Sequence, residues 1–273
     1  MKRFHLFEFE DLSWFPSRLR DYVTDFLRTV SEKFGMFDPV VPHIINLIEV
    51  SKLPMIIDMA TGAGGQWRTL LPQILEENEE VRLTLTDKFP NEEALRDIRD
   101  QFVNVVEIDM RSIDAVDVPQ DLSGVRTMFL SLHHFRPKEV EQIFENAVSS
   151  GTPIAIFEAQ RRDIEHVVRF SLSPIAVLLL TPLIRPVSIP RLFFTYIIPI
   201  VPFVVLWDGV VSVLRTYTNE ELETMAKSVD TKNHFLWSSE LILKGQQKIQ
   251  MFTGCPLPEA ARKVANSGAE ELL

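Results

Sequence analysis

Ile56-Ile57-Asp58-Met59-Ala60-Thr61-Gly62-Ala63-Gly64-Gly65 is the stretch whose reading decides the fold. A short apolar run, Met55 to Thr61, has the length and composition of a buried strand. It passes directly into a glycine-rich turn, and Gln66 to Glu76 continues with helical spacing. Glycine at such a turn admits positive φ and lets a ligand come close to the backbone. Tight turns that bind nothing share the pattern, so the neighbouring sequence has to discriminate.

Working outward, apolar runs at Val81 to Asp87, Val103 to Met110, Val125 to Leu132 and Pro153 to Gln160 read as four more strands. Helical stretches separate them: one that Asn91 caps with Glu92 and Glu93 in its first turn, and another over Pro137 to Ser149. Strand and helix alternating in this way imply βαβ units and a parallel sheet. Further on, Thr218 with Glu221 three residues later forms a capping-box pattern. Phe235 to Leu243 and Lys248 to Thr253 then read as an antiparallel hairpin around Lys244-Gly245-Gln246-Gln247. Upstream, Leu19, Tyr22, Val23, Phe26, Leu27 and Val30 share one helix face, and a second helix follows Pro42. The expected fold is therefore α/β: a Rossmann-like, seven-stranded, mostly parallel sheet with a closing antiparallel hairpin. Residues 1–50 form a helical N-terminal cover and 51–256 the sheet domain. An apolar helical cap is inserted at 165–215, and 257–273 is a loose tail.

Three acids recur where strands end: Asp58, Asp87 in Leu85-Thr86-Asp87, and Asp109 in Glu107-Ile108-Asp109-Met110. Open α/β sheets bind ligands outside the carboxyl ends of their strands, and an acid after the second strand suits ribose hydroxyls. With these residues in view, the segments 54–160 and 217–255 resemble the class I S-adenosylmethionine-dependent methyltransferases. The family's first motif, acid-x-Gly-x-Gly-x-Gly, is matched by Asp58, Ala60, Gly62 and Gly64, with Ala60 standing where the first glycine belongs. The resemblance implies S-adenosylmethionine as cofactor, with Gly62 and Gly64 approaching its methionine portion and Asp58 supporting the loop. Asp87 would hold the ribose, Asp109 the adenine amino group, and Met110 would pack beside the ring. Thr61, Lys88 and Ser131 complete the implied cofactor set. A dinucleotide fingerprint, Gly-x-Gly-x-x-Gly, is the competitor, but from Gly62 the chain places Trp67 at its third glycine.

Ser131-Leu132-His133-His134-Phe135 after the fourth strand is similar to the Leu-His-His segment of small-molecule methyltransferases. Candidate bases for removing an acceptor proton are His133, His134, Glu158 and Asp208 in Trp207-Asp208-Gly209. Histidine suits the task because imidazole ordinarily titrates near neutrality. Each has a plainer reading: the histidines order their loop, Glu158 is a hydrogen-bonded strand-end acid, and Asp208 caps a helix. The remaining histidines are scattered, so no metal is expected.

The 273 residues are 46% hydrophobic and 24% charged, a globular composition. A net charge of −10 argues against nucleic acid as a partner. The lone Cys255 excludes an intrachain disulfide and a cysteine-based zinc site, which suits the cytoplasm, and Glu8, Glu10 and Asp11 interrupt any apolar signal core. Phe170 to Leu214 is unusually apolar, containing Pro174 to Leu180 and Phe193 to Trp207. Its uncharged stretches fall short of the ~20 residues that span a bilayer, and prolines interrupt them. Two readings stay open: a buried cap lining a pocket for a small lipophilic acceptor, or peripheral contact of 170–207 with the inner face of a membrane. Arg161, Arg162, Arg169, Arg185 and Arg191 flank the region and would meet anionic headgroups in the second reading. The resemblance thus implies methyl transfer to a lipophilic oxygen or sulfur acceptor. An inactive, membrane-docked scaffold is the alternative from another class.

Overall fold

A computed structural model describes residues 1–258 other than Gln246. In chain order the elements are α1 (Ser17–Phe34), α2 (Val41–Ser51), β1 (Met55–Asp58), α3 (Trp67–Glu77), β2 (Arg82–Asp87) and α4 (Glu92–Gln101). There follow β3 (Val106–Ser112), β4 (Val125–Phe129), α5 (Pro137–Ser150) and β5 (Ile154–Glu158). Four helices come next: α6 (Ile164–Ser171), α7 (Ser173–Leu180), α8 (Ile189–Tyr196) and α9 (Ile200–Arg215). The chain then forms α10 (Asn219–Val229), β6 (Phe235–Lys244) and β7 (Gln247–Pro256). Among the described residues it divides into a sheet unit, 37–159 with 218–258, and a helical unit, 1–36 with 160–217. Of the expected loose tail, residues 259–273 lie outside the described residues.

The sheet unit holds seven strands in the order β3-β2-β1-β4-β5-β7-β6. β1 pairs in parallel with β2 and β4, as do β2 with β3 and β4 with β5, while β7 runs antiparallel between β5 and β6. This is the expected Rossmann-like sheet with its closing hairpin, whose pairing runs through Lys244 and Gln247. Burial follows position in the sheet. All five residues of β4 and of β5 are buried, whereas edge strand β6 exposes Leu236, Leu241 and Leu243. Caps form where sequence chemistry demands them. The Asn91 side chain accepts from Ala94 N at 3.2 Å, and Thr218 and Glu221 close a reciprocal capping box ahead of α10. Strand limits move by a few residues. β1 stops at Asp58 because Ala60 turns to φ +50°, and β3 starts at Val106 because α4 runs on to Gln101.

In the helical unit, Val177, Ile184, Val201, Val204 and Val205 bury against Val23 and Phe26 of α1. Leu27, expected on that buried face, is instead 42% exposed. Gly209 lies in mid-helix because a Cβ there would stand 2.7 Å from the Phe170 ring, so α6 and α9 can meet only at a glycine. The first residues of the chain run along α9. Phe4 N donates to Leu214 O at 3.0 Å, Trp207 Nε1 to Phe7 O at 3.0 Å, and Arg215 pairs with Glu8 at 2.9 Å and Asp11 at 2.6 Å. Arg191, one of the arginines flanking the apolar region, is turned inward and pairs with one of the chain's many acids. It is 2% exposed, pairs with Asp25 at 2.9 Å and donates to the carbonyls of Ile184 and Pro186. Arg162 is buried as well.

Candidate functional site

The sheet reverses its order of growth between β1 and β4, and the carboxyl ends of β1, β2, β4 and β5 carry the polar groups that the sequence singled out. Asp58 is fully buried at the end of β1. Its carboxylate accepts from Thr61 Oγ1 at 2.5 Å, Trp67 Nε1 at 2.8 Å, Thr127 Oγ1 at 2.7 Å and Gln66 Nε2 at 3.3 Å. These bonds tie strand, turn, the first turn of α3 and the neighbouring strand to one group. Burial pushes the carboxyl up from 3.8 to about 6; the Thr61, Trp67 and Thr127 hydrogen bonds oppose the rise, and the nearby Asp87 charge adds to it.

The turn needs left-handed backbone at Ala60 (φ +50°), Gly62 (φ +57°) and Gly64 (φ +60°). Ala60 therefore occupies a conformation that favours glycine. A Cβ placed on Gly64 would lie 2.8 Å from Ile98 Cδ1, so this glycine lets the turn pack on α4. At Gly62 a Cβ would meet nothing within 4 Å; the backbone there faces open space. Asp87, at the end of β2, holds that loop through Gly62 N at 2.9 Å and accepts Phe89 N through its other oxygen at 2.8 Å.

Asp109 and Met110 lie within β3. The pairing shifts from Leu85↔Ile108 to Asp87↔Ser112, so Asp109 lies in an irregular part of β3 and not at its end. Its carboxylate is engaged by Arg111, which holds it below the usual range, and Arg111 also reaches Asp121 at 2.9 Å. Met110 is 49% exposed. Lys88 pairs with Asp114 at 2.6 Å, and the hydrogen bond to that carboxylate raises its pKa.

After β4 the chain turns sharply. Leu130 has φ +50°, a strained value for a branched residue and of a kind that gathers at functional sites. Ser131 follows with its buried Oγ lacking a hydrogen-bond partner. His133 is buried, and its Nδ1 lies 3.1 Å from both carboxylate oxygens of Glu158, which ends β5. Glu158 Oε1 also accepts the His133 backbone N–H at 3.1 Å. The His134 ring sits 4.3 Å from that of His133. A ring lattice beneath supports this turn, with Phe129 stacked on Phe157 at 4.8 Å and meeting Trp67 edge-on at 5.5 Å.

Asp208 belongs to the helical unit. Its oxygens accept Phe9 N at 2.8 Å and Glu10 N at 3.3 Å, and burial raises it to about 7 against those hydrogen bonds, with Glu8 and Asp11 adding repulsion. Asp208 lies inside α9 and is not a cap of that helix; its carboxylate is held by backbone N–H groups near the start of the chain. Gln66, Trp67 and Thr127 were not foreseen. Trp67 counted only as an obstacle to a dinucleotide site, and nothing in the sequence marked Thr127, because only strand pairing brings it to Asp58.

No family model matches the chain, and no curated protein does. Solved structures do. An O-methyltransferase family protein from Burkholderia thailandensis superposes with a TM-score of 0.52 at 14% identity, over 85% of this chain and 59% of the other. A plantazolicin methyltransferase in complex with SAH superposes with a TM-score of 0.52 at 11% identity, over 88% of this chain and 98% of the other. The chain has the class I methyltransferase fold. It spans 59% of the length of the Burkholderia protein, and identities this low carry the methyltransferase fold and no more.

Proposed function

We propose that the protein binds S-adenosylmethionine at the carboxyl ends of β1 and β2 and methylates an oxygen or sulfur atom of a small lipophilic molecule. The observation that carries this reading is the buried His133–Glu158 pair, His133 in the turn after β4 and Glu158 at the end of β5, the next two strands after β1 in the sheet order. The residues present fit the cofactor: Gly62 leaves open backbone at the turn, Asp87 stands at the end of β2, and Ser131 has a buried hydroxyl to spare. Gly62 and Gly64 would admit the methionine portion, Asp87 would hold the ribose, and Asp58 acts one layer below by fixing the loop. When bound, the cofactor supplies an electrophilic methyl group whose C–S electron pair returns to sulfur.

The chain's own part is to orient the acceptor and take its proton. A carboxylate only accepts hydrogen bonds, so Glu158 holds a proton on His133 Nδ1. In this reading His133 takes the acceptor's proton as the oxygen bonds to carbon. A thiol acceptor ionises more readily and asks less of the base. A lipophilic acceptor is supported by the apolar composition of the insertion between β5 and α10.

Calorimetric titration with S-adenosylhomocysteine, with NADH alongside, tests cofactor binding; heat from NADH alone would overturn the reading. Against an acceptor found by product screening, His133→Ala should lower kcat about 100-fold or more at unchanged cofactor affinity. Glu158→Gln should lower kcat less and shift the pH profile, as expected of a positioning residue. Unchanged turnover in both variants would remove the pair from the mechanism.

A further inference from the structure

The helical unit leaves an apolar face bare. Ile164–Leu183 runs as a continuous 20-residue helical stretch of mean hydropathy 1.5, of which only 17% is buried, although the sequence showed no uncharged run of that length. One side, carrying His166, Val177 and Thr181, turns inward. The opposite side presents Ile164, Val168, Leu172, Ile175, Leu179 and Leu183, all at least half exposed and spaced four, four, three, four and four residues apart. On α8 and the residue that follows it the pattern repeats: Arg191 and Thr195 are buried, while Ile189, Phe193, Tyr196 and Ile197 face out. Tyr196 OH donates to Leu178 O, which joins the two stripes into one surface. Exposed apolar residues scattered singly are ordinary, but two adjoining helical stripes mark a face that meets something apolar.

Charge says what. Glu165 stands in the first turn of α6, but from His166 to Trp207 there is no acidic residue, in a chain that carries 38 of them and a net charge of −10. Arg169 at the end of α6 and Arg185 between α7 and α8 are both exposed among the apolar side chains. A second copy meeting this face would bring together two faces on which exposed arginines have almost no acid to pair with. An anionic lipid surface complements both features, taking the aliphatic side chains below the headgroups and the guanidinium groups among them. The inward side of Ile164–Leu183 packs on α9 through Val177, so the helix lies along its unit, as an in-plane contact requires.

We infer that the exposed stripes of α6–α7 and α8 dock the protein on an anionic lipid surface as an interfacial, non-spanning contact. This goes beyond the proposed chemistry and is independent of it, since docking is read without any acceptor.

The test is flotation of the full-length protein with phosphatidylcholine vesicles, with and without about 30% phosphatidylglycerol. The protein is expected to float with the anionic vesicles and to remain below with the neutral ones. Leu179, Ile189 and Ile197 are 70%, 79% and 70% exposed, so the triple variant Leu179→Gln, Ile189→Gln, Ile197→Gln should keep its circular dichroism and thermal transition. Its partition onto anionic vesicles should fall at least about tenfold. Equal flotation of parent and triple variant would overturn the inference, as would a folded parent that floats with neither vesicle or equally with both. A parent that is dimeric by light scattering, becomes monomeric in the triple variant and never floats would assign the face to a second copy instead.

Discussion

Gly62→Ala separates the stability of the glycine turn from its use. Gly62 sits at φ +57°, and a methyl group added there meets no atom within 4 Å. The whole stability cost is then backbone strain, about 1–2 kcal/mol for an L-residue in the left-handed region. In a chain of this size that lowers Tm by about 2–4 °C per kcal/mol. The same methyl group projects into the open space assigned to the cofactor, so S-adenosylhomocysteine affinity should fall about 100-fold, equivalent to about 2.7 kcal/mol. Two other glycines serve as controls. Gly151, which ends α5, has φ +64° and equally open surroundings, so Gly151→Ala should show the same strain and unchanged affinity. Gly64→Ala adds a 2.8 Å clash with Ile98 Cδ1 to its strain and should be the least stable of the three, by a further 1–3 kcal/mol or so. The assay is thermal and urea unfolding beside calorimetric titration of each variant. Wild-type affinity in Gly62→Ala would refute the cradle, and equal affinity losses in Gly62→Ala and Gly151→Ala would show that strain alone weakens binding.

Two further outcomes follow from the same turn. Ala60 holds φ +50° without being glycine, so Ala60→Gly should stabilise the fold by about 1 kcal/mol in urea unfolding, and a loss of stability would contradict the assigned backbone. Asp58 binds its proton more tightly folded, at about 6, than unfolded, at 3.8. The native state therefore holds more protons across that window, and the Asp58 contribution makes the protein less stable as pH rises from about 4 to 6, by about 3 kcal/mol at most. Stability measured across that range should show this component in the parent and lose it in Asp58→Asn; parallel profiles would place the Asp58 pKa elsewhere.

Much of the architecture was legible because it is locally encoded. Alternating apolar runs and helical stretches identified the seven strands, and Asn91 and the Thr218–Glu221 pair marked helix starts, since caps act within one turn of chain. The glycines announced their turn because few other residues tolerate its φ values. Strand limits were less legible. Asp109 read as a strand end, yet β3 continues to Ser112, because pairing with β2 and not local propensity decides where a strand stops.

The sequence by itself determined the βαβ order, the glycine turn after β1, the closing hairpin and the candidate acids and histidines, all properties of short windows of chain. Only the tertiary structure decided which candidates have partners. Thr127, 69 residues from Asp58, reaches its carboxylate because β1 and β4 pair, and Glu158 reaches His133 because β4 and β5 pair. Asp208, equally promising in the sequence, has its oxygens engaged by the backbone of Phe9 and Glu10, and Arg191 is turned inward to Asp25. The physical reason is that a buried polar group must find its hydrogen-bond partners wherever folding brings them, and distance along the chain does not set distance in space.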